Sequence, residues 1–160
     1  IDYAVYLRAV INFNDTLGFP GKLSRQDRTE RDQPPARDSY ESFKQLIEQY
    51  PNSRYVADAK ERMGYIINTL ARYEVHVARY YYRRGAYVAA ANRAQAAIQE
   101  FQYSPATEEA LSILARSYDK LGLEKLRDDA ERVLRTNYPK SALLTGDGIN
   151  YNEKPWWQLW

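Results

Sequence analysis

A chain of 160 residues has the length of one domain, and its 44% apolar content is enough for a core that needs neither disulfide nor metal. It holds no cysteine, which removes disulfides, thiolate nucleophiles and cysteine metal sites, and its 23 basic and 21 acidic residues leave a net charge of +2, too small to make nucleic acid or an anionic membrane the main partner. No stretch reaches the roughly 18–20 consecutive apolar residues of a membrane span, and an opening of Ile1-Asp2-Tyr3, with neither initiator methionine nor signal sequence, reads as a trimmed fragment.

The elements that follow are all helical, with glycine and proline as punctuation and almost no β-branched alternation. A first helix is expected over 3–13, with Tyr3, Tyr6, Val10 and Phe13 on neighbouring stripes, before Gly18-Phe19-Pro20-Gly21 forbids its continuation. The connection from Asn14 to Pro35 exceeds twenty residues and ends in the charged run Arg25-Gln26-Asp27-Arg28-Thr29-Glu30-Arg31-Asp32, a length that marks a functional or a disordered segment. A second helix starts near Pro34-Pro35, carries Tyr40, Phe43, Leu46 and Ile47, and stops at Tyr50-Pro51. From 53 to 84 there is no proline and a single glycine, Gly64, while Tyr55, Ala59, Met63, Ile66, Leu70, Tyr73, Val77 and Tyr81 recur every three or four residues, so one unusually long helix is predicted.

Arg84-Gly85 turns the chain into an alanine-rich helix over 87–101 whose Ala90, Ala94 and Ala97 share a face and admit a close neighbour. Tyr103-Ser104-Pro105 ends that unit. Thr107 is expected to cap the next helix, which runs through 111–121 to a turn at Gly122, and a helix over 124–136 closes the pair before Tyr138-Pro139. The tail after 144 loses helical periodicity at Gly146 and Gly148 and finishes Trp156-Trp157-Gln158-Leu159-Trp160. Three tryptophans there call for cover, by folding back on the last repeat or by meeting a partner.

Gly85 and Gly122 sit at matching places of two tetratricopeptide-like registers, near the 34-residue period of that motif. In the first, Val77 and Ala78 take its Leu-Gly pair, Tyr81 its tyrosine, and Ala90 and Ala97 its small positions. In the second, Leu114, Ala115 and Tyr118 correspond, while Arg127 stands where alanine is wanted. The expected architecture is therefore an all-α, tetratricopeptide-like solenoid of helical hairpins, about two and a half to three repeats with one long central helix, in a domain over 1–144 followed by an irregular tryptophan-rich tail over 145–160.

No residue pattern asks for catalysis or a cofactor. The one histidine, His76, lies mid-helix beside Tyr73, Val77 and Tyr80 without a visible partner, Glu108-Glu109 and Asp128-Asp129 are helix neighbours about 100° apart that read as solvated faces or caps, and there is no phosphate loop or nucleophile elbow. The chain reads as a non-enzyme. Arg79-Tyr80-Tyr81-Tyr82-Arg83-Arg84 interleaves cations with aromatics, the composition of a protein contact or a nucleic-acid platform, against the plainer possibility that Tyr81 packs inward and the arginines are solvated. Balanced overall charge favours protein contact. Arg93, flanking the alanine stripe, can reach a partner's carboxylate or the rim of its own core.

Several segments, in order, resemble the BamD family: Ile1-Asp2-Tyr3-Ala4-Val5-Tyr6-Leu7-Arg8, the Asp27-Arg28 and Arg31-Asp32 pairs, Tyr50-Pro51-Asn52-Ser53, Leu70-Ala71-Arg72-Tyr73-Glu74, and Arg84-Gly85-Ala86-Tyr87-Val88-Ala89 through Asn92-Arg93. The resemblance runs from Ile1 to about Tyr138. It implies the third to fifth repeats of a five-repeat lipoprotein at the periplasmic face of the outer membrane, lacking the signal peptide, the lipidated cysteine and the first two repeats, so that membrane attachment would come only through an anchor absent from this chain. It implies a non-catalytic scaffold docked on the last periplasmic POTRA domain of a BamA-type barrel subunit. Accessory lipoproteins of the BamC type can lie along it, and unfolded outer-membrane proteins are met mainly through the absent repeats. Arg93 of the Asn92-Arg93 pair matches a family position that communicates with the barrel subunit, and Arg84, with Tyr81 and Arg83 beside it, is a neighbouring candidate. The tryptophan tail has no counterpart in the resemblance. Two other readings stay open, a different periplasmic tetratricopeptide adaptor and a nucleic-acid-binding helical repeat.

Overall fold

A computed structural model describes residues 1–17 and 34–144; the long charged connection and the tryptophan tail lie outside the described residues. Among the described residues there are six α-helices, a single 3-10 turn and no strand: α1 Asp2–Leu17, α2 Pro34–Gln49, α3 Val56–Arg83, α4 Tyr87–Glu100, α5 Ala106–Lys120, α6 Glu124–Asn137 and the turn Ala142–Leu144. The fold is all-α and tetratricopeptide-like, as the periodicity predicts. The chain divides into two compact units, Ile1–Tyr73 and Glu74–Trp160.

In the first unit α1 is longer than its apolar stripe, because nothing between Phe13 and Leu17 breaks a helix before Gly18. It packs on α2 through Ala9, whose small side chain lets the Ser39 hydroxyl come close enough to donate to the Ala9 carbonyl at 2.9 Å. Phe13 meets Phe43 and Tyr65 edge-on, at centroid distances of 6.4 and 5.7 Å. The first half of α3 joins this core by a polar seam. Tyr6, stacked on Tyr55, donates its phenol to Asp58 at 2.7 Å, Arg62 donates to the same carboxylate at 2.7 Å, and the Arg62 guanidinium covers the Phe13 ring.

The long helix α3 is one continuous element of 28 residues, about 42 Å at 1.5 Å per residue. Gly64 does not interrupt it, and only Gly85 and Gly122 have positive φ among the described residues. Its buried positions correct the expected stripe. Ala59, Ile66 and Leu70 are buried as predicted, but farther on the core is reached by Ala71, Glu74, Val75, Ala78 and Tyr82, while Tyr73, Val77 and Tyr81 are half-buried. The reason is that this half of α3 is covered from two sides. Tyr82 packs edge-on against Tyr87 of α4 at 5.3 Å, and Arg79 reaches Glu109 of α5 at 2.6 Å, so the covered arc is wider than a single stripe.

The second unit has a core of small residues, Ala78, Ala90, Ala91, Ala94, Ala97, Ala110 and Ala115, filled out by Val75, Tyr82, Ile113 and Leu114. Its two hairpin turns are copies. Gly85, at φ 76°, lets its own N–H reach the Tyr82 carbonyl while the Ala86 N–H reaches that of Tyr81; Gly122, at φ 70°, does the same with Asp119 and Tyr118. This pair of bonds satisfies the last carbonyls of a helix and requires a left-handed residue between them, hence glycine.

A second recurrence joins the hairpins. At Tyr50 to Ser53, Phe101 to Ser104 and Tyr138 to Ser141, the serine N–H bonds the carbonyl of the aromatic residue three before it, at 2.9–3.0 Å. Each serine hydroxyl then accepts the N–H two residues on, from Tyr55, Ala106 and Leu143. This corrects the expected cap. Thr107 lies inside the first turn of α5, buried, and its hydroxyl donates to the Phe101 carbonyl, while the first N–H of the helix, that of Ala106, is met by Ser104. Serine two residues before the helix reaches that N–H without entering the helix, which threonine at 107 cannot do.

Candidate functional site

The five residues singled out from the sequence, Tyr81, Arg83, Arg84, Asn92 and Arg93, all fall on the α3–α4 hairpin of the second unit, but they do not form one cluster. Arg83 ends α3 and Arg84 begins the turn, both exposed, with the Arg84 guanidinium 5.3 Å from the centre of the Tyr80 ring. Stacked on an aromatic face, that cation keeps its charge turned to solvent with little freedom to lose on meeting an acidic or aromatic group. Tyr81 is half-buried, edge-on to Tyr80 at 5.7 Å, and supplies the carbonyl that closes the turn. Tyr118 holds the equivalent place at the second turn, so the position of Tyr81 is explained first by the repeat.

Arg93 lies two turns down α4, next to exposed Asn92, and donates to Glu74 of α3 at 3.2 Å. The Glu74 side chain is 9% exposed and that of Arg93 49%. The arginine thus covers a carboxylate set in an apolar wall and still offers half its surface to solvent. Glu74 stands nine residues before Arg83, so this pair lies about 14 Å along α3 from the turn. The hairpin therefore carries two separated cationic points, one at its tip and one on its flank.

The carboxylates read as solvated faces divide in two. Asp128 and Asp129 do pair at the surface, with Arg127 and Arg132, whereas Glu109 is held against Arg79 across α5 and α3 with little exposure. Glu74, Glu109 and Tyr82 were not picked out by periodicity. The signal for Glu74 is its place four residues after Leu70 and one before Val75, a charge within an apolar stripe, which demands a cation from a neighbouring helix. Burial pushes the Tyr82 phenol above its ordinary range. His76 is half-buried and engaged within the fold, and no set of three metal-ligating side chains gathers among the described residues. No helix of the described residues is long and apolar enough to cross a membrane.

The family described as "YfiO: Outer membrane lipoprotein" matches residues 1–133. Among curated relatives, outer membrane protein assembly factor BamD of Neisseria meningitidis serogroup A is 46% identical over 160 residues, all of this chain and 60% of its own length. The BamD factors of Xylella fastidiosa strain Temecula1 and Haemophilus influenzae are 40% and 34% identical over 146 and 139 residues, covering 91% and 87% of this chain and 50% and 53% of their own lengths. The chain thus spans between half and three-fifths of the length of these relatives.

Proposed function

Since the chain belongs to the YfiO family of outer membrane lipoproteins, we propose that it is a non-catalytic scaffold of outer-membrane protein assembly, docking through its α3–α4 hairpin on the last periplasmic POTRA domain of a BamA-type barrel subunit. In this reading the full-length protein is lipid-anchored at the periplasmic face of the outer membrane, accessory lipoproteins of the BamC type lie along it, and unfolded outer-membrane proteins are met mainly outside this chain. The observation that carries the reading is the hairpin itself. Exposed Arg83, Arg84, Asn92 and half-exposed Arg93 stand on a base whose turn is closed by backbone hydrogen bonds and whose core is packed with alanine. A rigid base leaves little ordering cost at association, and separated cations give register to an acidic surface. The names of the relatives, assembly factors, favour a part in assembly over covalent chemistry.

Titration of the isolated POTRA domain measures the contact. Arg84→Glu is expected to weaken binding tenfold or more, about 1.4 kcal/mol. For Arg93 a simple charge reversal would set two carboxylates together against the core, so the informative variant is the exchange Glu74→Arg with Arg93→Glu, which keeps an ion pair and reverses the sign presented to the partner. Wild-type affinity in both variants would move the docking surface off this hairpin.

A further inference from the structure

Arg54, Arg62 and Arg84 each lie over an aromatic ring, but not in the same state. Arg54, over Tyr55, also bonds that tyrosine's hydroxyl, and Arg62, over Phe13, donates to Asp58 at 2.7 Å. Arg84, 5.3 Å from the centre of the Tyr80 ring, has no hydrogen bond or ion pair for its guanidinium among the described residues. It is held in place with its N–H groups unspent. Its own hairpin cannot supply the anion, because no Asp or Glu stands between Glu74 and Glu100.

The backbone explains how the ring comes to hold the cation. The Arg84 N–H is shared between the carbonyls of Tyr80 and Tyr81, at 3.2 Å each, so residue 84 continues the course of α3 and its side chain falls on the residue four before it. Gly85 then turns the chain away at φ 76°, and Gly85 and Ala86, both small and exposed, add no bulk beside the guanidinium. The repeat does not ask for this pair. At the offset that carries Gly85 onto Gly122, Tyr80 and Arg84 become Ser117, buried, and Leu121, half-buried. Tyr80 is 49% exposed, with its ring edge-on to Tyr81 and Arg84 over its face, so it does not fill a core.

We propose that Tyr80 is the positioning residue of the hairpin tip: its ring holds the Arg84 guanidinium flat, and the two outward N–H groups of that guanidinium take one carboxylate of the docked partner side-on. A planar fork fixed before contact gives two parallel charge-assisted hydrogen bonds at little ordering cost, which a lysine at the same place does not offer. Tyr80 thereby sets a preference for a carboxylate that arrives in the plane of the fork.

This role rests on the docking reading above, and the isolated last POTRA domain is the probe. Tyr80→Leu is expected to weaken its binding about fivefold, Tyr80→Phe to stay within about twofold of wild type, and Arg84→Lys, which keeps the charge and loses the fork, to weaken it about fivefold or more. Tyr80→Leu added to Arg84→Lys should cost little further, since the ring then has no planar group to hold. In the free protein the Arg84 Hε resonance should lie upfield in wild type and in Tyr80→Phe, and move to the position of a solvated arginine in Tyr80→Leu, with circular dichroism and melting temperature unchanged. The two kinds of failure separate. A POTRA domain that does not bind the wild-type chain, or that binds the Arg84→Glu variant as tightly, removes the docking reading and the role of Tyr80 with it. Weakened binding by Arg84→Glu beside wild-type affinity in Tyr80→Leu or Arg84→Lys overturns the role of Tyr80 alone, as does an Arg84 Hε resonance that Tyr80→Leu does not move.

Discussion

Glu74 and Arg93 illustrate how one residue can serve the fold and a surface together. A carboxylate with so little exposure is tolerable only with a cation against it, and Arg93 supplies that cation from α4. Removing Arg93 alone leaves the carboxylate without its partner. With half of the arginine still in solvent the penalty is discounted to about 1–2 kcal/mol for Arg93→Leu, and Glu74→Leu in the same chain should recover most of it. A urea-unfolding cycle over the four proteins checks this, and additive losses would mean that the pair is not coupled. The consequence for docking is that a loss of binding in an Arg93 variant is interpretable only beside its measured stability.

The glycines separate by the same kind of argument. A Cβ at Gly64, Gly85 or Gly122 would meet nothing within 4 Å, so only backbone conformation distinguishes them. Gly64→Ala, inside α3, should stabilise by about 0.5–1 kcal/mol, whereas Gly85→Ala, at φ 76°, should cost about 1–2 kcal/mol. Thermal or urea unfolding distinguishes the two signs.

Among the elements, the seam between α1 and the first half of α3 is tied to pH. The Arg62 guanidinium beside Asp58, reinforced by the Tyr6 phenol, holds that carboxyl below the usual carboxylate range. A depressed folded-state value adds stability that is present above the unfolded value near 3.8 and is lost as pH falls through the folded one. The first unit should therefore loosen as pH drops below about 4, and Asp58→Asn should flatten that slope; the unfolding midpoint against pH is the measurement. Helix existence and order were legible because the apolar spacing is long and the breakers, Gly18, Pro51, Gly85, Pro105, Gly122 and Pro139, are unambiguous. The inner face of α3 was not, since periodicity identifies a stripe but not how many neighbours cover it. The cap of α5 was missed for a local reason: Ser104 and Thr107 are both good hydrogen-bonding residues, and only the position of the first turn decides between them.

At the scale of the whole molecule, the repeat was the most legible feature and the site the least. A 37-residue offset between Gly85 and Gly122 was visible in the sequence and returns as two turns with the same hydrogen bonds. The five site residues were chosen by composition and by resemblance, and neither anticipates that Arg93 is shared with Glu74 or that Arg84 is propped on Tyr80. Pairings of that kind depend on which helices become neighbours, information that one sequence carries only as a misplaced charge or an unexplained aromatic. The aromatic-to-serine joints carry a further implication for how such a chain can change. Each joint closes its bonds within a few residues, using only the adjoining turn of the chain on either side, so the stretch between Ser104 and Ser141 is bounded by matching seams. A chain constructed this way can gain, lose or trade a whole hairpin by cutting at two serines, and lineages or designers that lengthen it have ready-made places to splice.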